Sequence, residues 1–198
     1  MQSVGRFEKV SLSVYAKARR KTNPDISDSQ IRDEYDNIKL PTRATAGSAG
    51  YDFSVPFDVK SPDMKNGVIS LPTGVRWVSY PITSKCSGEP KLFELSLHMR
   101  SSTASDLGFS LVNGTGIIDA DYYMAENEGN IIIKLMPNNV RNTPARLAER
   151  TSSMSDTVII KAGEKIVQGI FSEVFIVDEN PNQFVATRIG GFGSTGRY

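Results

Sequence analysis

Beyond Leu40-Pro41 the apolar positions alternate with polar ones instead of recurring at helical spacing. In residues 93–99, Phe93, Leu95 and Leu97 fall on one face and Glu94, Ser96 and His98 on the other. That period of two is the mark of a half-buried strand. Residues 68–71 and 75–79 are short β-branched or aromatic segments, separated by Pro72-Thr73-Gly74. Further strands are predicted over residues 110–112, 130–136, 158–161, 165–170 and 173–177. Many short strands with turn signals between them predict an all-β fold, a sandwich or jelly roll.

The first 38 residues differ in style. Lys17, Arg19, Arg20 and Lys21 form a basic run, which reads as a solvated face or loop. Asn23-Pro24-Asp25 marks a break. Ser27 and Gln30 fit a capping box, and Ile31, Tyr35 and Ile38 recur at helical spacing, so one short helix is predicted over 27–37. The organisation read here is an N-terminal extension (1–38), one β domain (39–185) and a glycine-rich C-terminal tail (186–198). Residues 137–157 are polar and read as a surface insertion, with one short helix at 144–150. The tail cannot build a core and is expected to be flexible without ligand.

Composition narrows the chemistry. The 198 residues are 39% hydrophobic and 23% charged, with a formal net charge of +1. Nothing in that balance draws the chain to nucleic acid or to a membrane surface. No apolar run is long enough to span a bilayer, and no signal core opens the chain, so a cytoplasmic location is expected, in a host or phage-infected cell. Cys86 is the only cysteine and His98 the only histidine. A histidine triad or multi-histidine metal site is therefore excluded. Hydrolytic chemistry must rest on carboxylates, hydroxyls, arginines and a metal brought by the ligand.

Five stretches carry such chemistry. The most pointed is NGTGIIDADYY, residues 113–123. Asn113-Gly114 is a tight-turn dipeptide because both residues tolerate positive φ, and the stretch reads as a short β-hairpin. It presents Asp119 and Asp121 beside Tyr122 and Tyr123, as suits a pocket that holds a flat ring and removes a proton beside it. Aspartates that merely cap a turn are the alternative. GSAGYDF (47–53) places Asp52 behind two glycines, where backbone can approach a ligand; a capped turn is again the plainer reading. RSSTA (100–104) sets a guanidinium beside consecutive hydroxyls, a phosphate cradle or equally a helix start. AGEKIVQGI (162–170) puts Glu164 and Gln168 around a strand start, where a glutamine can hold a water or a phosphate oxygen; a surface glutamine that does neither is the plainer reading. GGFGSTG (190–196) offers bare N–H groups for phosphate and centres one aromatic, Phe192.

In order and approximate spacing, SAGYDF, RSSTA, GIIDADYY, GEKIVQGI and GGFGSTG resemble the five motifs of trimeric dUTPases, from about Lys39 to the C-terminus. The resemblance implies a homotrimer of jelly-roll subunits with active sites at subunit interfaces. It implies Mg²⁺-assisted hydrolysis of dUTP to dUMP and pyrophosphate. Asp119 matches the aspartate that activates water for attack on the α-phosphorus, and Gln168 the glutamine that helps hold that water and the phosphates. Arg100, Ser101 and Ser102 match the phosphate-binding turn. Asn113 and the backbone of Gly116, Ile117 and Ile118 match the uracil-reading hairpin, and Tyr122 the ring that packs on deoxyribose. Asp52 matches the aspartate that meets the metal through water. Phe192 matches the aromatic over uracil, with Gly193, Ser194 and Thr195 along the γ-phosphate.

Two departures stand out. The family's arginine before the glycine-rich motif sits one residue farther from the paired glycines, so Arg188 is displaced and Arg197 is an alternative contact. After Tyr122 the chain runs YMAENEGNI, longer than the shortest members, so a bulged return strand is expected. Two other functions share some of these features. One is a dUTPase-like regulatory protein with a nucleotide-controlled partner surface, for which residues 1–37 and 137–157 are the support. The other is a dCTP deaminase relative, which shares the jelly roll and an RSS-like motif.

Overall fold

The first element is a strand, β1 (Gly5–Lys9), and two helices follow it, α1 (Leu12–Thr22) and α2 (Asp28–Asp36). A computed structural model describes residues 3–60, 67–138 and 158–177. The later strands are β2 (Thr42–Arg43), β3 (Tyr51–Ser54), β4 (Val59–Lys60), β5 (Ile69–Pro72), β6 (Val75–Ser79), β7 (Ile82–Thr83) and β8 (Pro90–Met99). A third helix, α3 (Ser101–Leu107), precedes β9 (Phe109–Leu111), β10 (Gly116–Ile118), β11 (Ile132–Pro137), β12 (Val158–Ile160) and β13 (Lys165–Val174). The all-β expectation holds in its coarser form: the elements of the described residues are mostly strands, with three α-helices, and every ladder among them is antiparallel.

The largest sheet runs β10-β8-β13-β3-β2, with β7 also on β8. A second runs β5-β11-β9, and β1-β6 and β12-β4 form two-stranded sheets. Their inner faces share one core with Phe53, Trp77, Leu95, Phe109, Ile133 and Ile166 fully buried. β1 is tied to the large sheet by aromatic edges: Phe7 lies 5.4 Å from both Tyr51 and Phe53, ring centre to ring centre.

Four sequence expectations are corrected. The basic run is not a loop but part of the C-terminal half of α1. Its inward side is Tyr15, Ala16 and Arg19, so a buried arginine stands where an apolar residue would have revealed the periodicity. Lys17, Arg20 and Lys21 remain outside, and Arg19, Arg20 and Lys21 occupy the last turn, where cations suit the exposed carbonyls. The predicted second helix is α2, with the Ser27–Gln30 capping box formed. Residues 165–170 and 173–177 are not two strands; one ten-residue strand, β13, ends at Val174 and leaves Phe175, Ile176 and Val177 exposed. Nor is 113–123 a hairpin. β9 pairs with β11 and β10 with β8, so the Asn113-Gly114 turn carries the chain from one sheet to another. No bulged return strand follows Tyr122; a 3₁₀ turn, Tyr122–Met124, stands there. The insertion helix at 144–150 and the tail fall outside the described residues.

The N-terminal elements are pinned by charge. Glu8 accepts from Arg76 Nη2 at 2.8 Å and from Arg6 Nε at 2.5 Å. Glu128 accepts from the Ser11 N–H (2.8 Å) and hydroxyl (2.6 Å) at the start of α1, with Arg76 at 3.8 Å. The Arg6 and Arg76 hydrogen bonds hold the Glu8 carboxyl below its ordinary value of 4.5. For Glu128, burial opposes the charge, but the two Ser11 bonds and Arg76 outweigh it, and its value is also lowered from 4.5. Both groups are more acidic folded than unfolded. Their stabilisation is therefore complete above the unfolded value and is lost as pH falls through the lower folded values. The urea midpoint is expected to be flat near neutrality and to fall below about pH 4.5. Glu128→Gln should flatten that acid limb; parallel limbs for the two proteins would contradict it.

Candidate active site

Asp52, Arg100 and Gln168 come from three distant stretches and meet at one end of the large sheet. Asp52 on β3 lies opposite Gln168 on β13, and Gln168 lies opposite His98 on β8. Arg100, which follows β8 and precedes α3, sends Nε to 3.4 Å from Asp52 Oδ1. Lys165 Nζ donates to Asp52 Oδ2 at 2.8 Å. The Asp52 side chain is only 8% exposed, whereas those of Arg100 and Lys165 are 31% and 47% exposed. The carboxylate thus anchors two cations whose outer faces reach solvent, an arrangement suited to a polyanion.

The backbone makes room for this cluster. A Cβ on Gly50 would stand 2.7 Å from Gln168 Oε1 and 3.1 Å from Gln168 Cβ, so any larger residue there would push that amide aside. Ser101 and Ser102 are exposed on the first turn of α3, beside Arg100. The turn expected after β8 is thus a helix start. Arg100 is its N-cap residue, without a side-chain cap bond. Thr103 fixes the helix by donating to the Lys165 carbonyl at 3.2 Å.

Lys165 was missed by sequence reasoning. In a regular strand it and Gln168 would face opposite ways. The register slips between Lys165 and Val167, however, and the bulge turns both toward Asp52. A phase break of this kind leaves no mark in the residue pattern.

The other candidates lie apart. Asn113 is exposed in a turn where Gly114, at φ 69°, donates to the Leu111 carbonyl at 3.1 Å. Gly116 and Ile118 are buried and Ile117 is 54% exposed, all on the edge strand β10. Asp119 is exposed immediately after it, and its carbonyl accepts from the Tyr122 N–H at 3.1 Å. Tyr122 is 4% exposed and belongs to the core. Ile118 lies opposite Leu95, whereas Arg100 follows the far end of β8. That separation is about 17 Å of strand. One chain therefore does not bring the acid loop to the cation cluster directly. Arg188, Phe192, Gly193, Ser194, Thr195 and Arg197 lie outside the described residues.

The described residues hold no group of three or more His, Cys, Asp or Glu side chains placed to bind a metal. Both Asp52 oxygens already face cations. With both oxygens so engaged, Asp52 would meet an oxygen-seeking ion only through water, and such an ion would have to bring its other ligands with it. No helix among the described residues is long and apolar enough to cross a membrane.

No protein-family model matches the chain. The deoxyuridine 5′-triphosphate nucleotidohydrolase of Lactococcus lactis subsp. lactis (strain IL1403) is 34% identical over 161 residues, covering 80% of this chain and 89% of its own. The crystal structure of the dUTPase from Streptococcus mutans is similar with a TM-score of 0.52 and 27% identity, over 87% of this chain and 98% of that one. A mutant dUTPase from phage phi11 of S. aureus, which coordinates a structural Mg(II) ion, shares the fold with a TM-score of 0.50 at 20% identity, over 75% and 92% of the two chains.

Proposed function

This chain belongs to the deoxyuridine 5′-triphosphate nucleotidohydrolase family and is a dUTP diphosphatase, and we propose that it acts by water attack on the α-phosphorus, releasing dUMP and pyrophosphate. The observation that carries the site assignment is the convergence of Asp52, Arg100 and Gln168, with Lys165, which stands 113 residues from Asp52 in the sequence. Arg100, with Ser101 and Ser102, binds the phosphates. Gln168 holds the attacking water in line, and Asp119 accepts its proton. A carboxylate held within reach of the water can take that proton. Asp52 would meet, through water, an Mg²⁺ ion carried by the triphosphate, and that ion would supply charge neutralisation at the phosphates.

The subunit is a jelly roll, and three copies assemble. The separation of Asp119 from Arg100 along β8 supports a site completed between subunits, with the acid loop of one chain facing the cation cluster of another. Asn113 and the backbone of Gly116, Ile117 and Ile118 read uracil. Phe192 closes over it, while Gly193, Ser194, Thr195 and Arg188 or Arg197 meet the γ-phosphate. Tyr122 faces the deoxyribose. A ring wedged in the core cannot yield to a 2′-hydroxyl, which makes it a steric filter against UTP. The family assignment leaves the deaminase reading without support.

The test is pyrophosphate release with Mg²⁺ across dUTP, dCTP, dTTP and UTP. Release from dUTP is expected to exceed that from each competitor by at least about a hundredfold in kcat/KM. Equal release from all four would overturn the assignment of the site.

A further inference from the structure

The turn after Tyr122 is built around that ring. Asn127 Nδ2 donates to the Tyr122 hydroxyl at 2.9 Å, and that hydroxyl donates to the Asn130 carbonyl at 3.3 Å. Asn127 Oδ1 accepts from the Gly129 N–H at 3.2 Å, and the Asn127 carbonyl from the Asn130 N–H at 2.9 Å. The turn is tight. Glu128 sits at φ 53°, where a side chain is seldom found, and Gly129 at φ 72°. A Cβ on Gly129 would stand 2.6 Å from Tyr123 Cα. The Glu128 carboxylate meanwhile grips Ser11 at the start of α1. A strained turn held at both ends keeps one geometry.

We infer that Asn127 is a positioning residue: it fixes the Tyr122 hydroxyl and so keeps the ring from giving way to a ribose. This rests on the assignment of Tyr122 to the sugar. A filter made of one ring discriminates only as far as that ring stays put. A wall that tilts admits one more oxygen at little cost. Asn127 locks the outer end of the ring without needing to touch nucleotide.

The experiment measures kcat/KM for dUTP and for UTP in the wild type, Asn127→Ala, Tyr122→Phe and the double variant. Tyr122→Phe keeps the ring and removes the hydroxyl with its bonds to Asn127 and Asn130, so it serves if Asn127→Ala folds poorly. Each single variant is expected to lower the dUTP:UTP ratio roughly tenfold, chiefly by raising UTP turnover, and the double variant to lower it no further. A purely structural role would reduce both substrates together and leave the ratio unchanged. An unchanged ratio, with the wild type still preferring dUTP, overturns the inference alone. Additive losses in the double variant also overturn it, because the two groups would then act separately. A wild type that hydrolyses both nucleotides equally overturns the inference together with the sugar assignment of Tyr122.

Discussion

Asp119→Asn is expected to lower kcat on dUTP by about 10²- to 10⁴-fold while nucleotide binding persists. Asparagine keeps the shape of the side chain and removes its capacity to take a proton. Asp119 is exposed, just past the end of β10, and does not help to fill the core. The folding cost of the change should therefore stay within about 0.5 kcal/mol. Loss of rate without loss of stability or affinity marks a group that acts in the reaction and not in the scaffold. Pyrophosphate release gives kcat, calorimetric titration with a non-hydrolysable analogue gives affinity, and thermal unfolding controls for stability. Near-normal turnover by this variant would refute the assignment of the base.

The second large effect concerns stability. Arg19 is 6% exposed, and its guanidinium donates to Glu34 from Nε at 2.6 Å and from Nη2 at 2.8 Å. It also reaches Thr22 Oγ1 at 2.8 Å and lies 3.7 Å above the centre of the Phe57 ring. The Tyr15 hydroxyl donates to the same carboxylate at 2.9 Å. Burial, and then the Glu34 charge, push that hydroxyl well above the ordinary tyrosine range. Glu34→Ala would leave a buried cation without its counter-charge and a buried hydroxyl without its acceptor. The expected loss is about 3–5 kcal/mol, read from urea unfolding. Replacing the pair together, Arg19→Met with Glu34→Leu, should recover most of it, because no charge is then left stranded. A loss below about 1 kcal/mol for Glu34→Ala would show that water reaches the pair.

That ion pair also explains part of what the residue pattern concealed. α2 was legible because Ser27 and Gln30 cap it and Ile31 marks its inner face. α1 was not, because Arg19 occupies an inward position that an apolar residue would have advertised. Strands with clean alternation, such as β8, were legible, but their partners were not. Local pattern cannot say that β9 and β10 join different sheets, and so a turn passed for a hairpin. The site divides in the same way. Asp52, Arg100, Gln168 and Asp119 could be picked out by residue type and motif. Lys165 could not, because the β13 bulge that aims it exists only once β3 is paired. Asn127 carries no chemistry of its own; its part in the site would come only from the hydroxyl it holds.

The ladder order has a consequence for how the protein is made. β13 sits between β8 and β3, yet it is the last strand among the described residues to be synthesised. A nascent chain on the ribosome can wind α1 and α2 early, although Arg19 must wait for Phe57 and Ser11 for Glu128. It must then carry β3 and β8 with unsatisfied edges until residue 174 has been added. The middle of the sheet is thus added after both of its flanking strands, and through that interval the growing polypeptide exposes unpaired edges that can meet those of its neighbours.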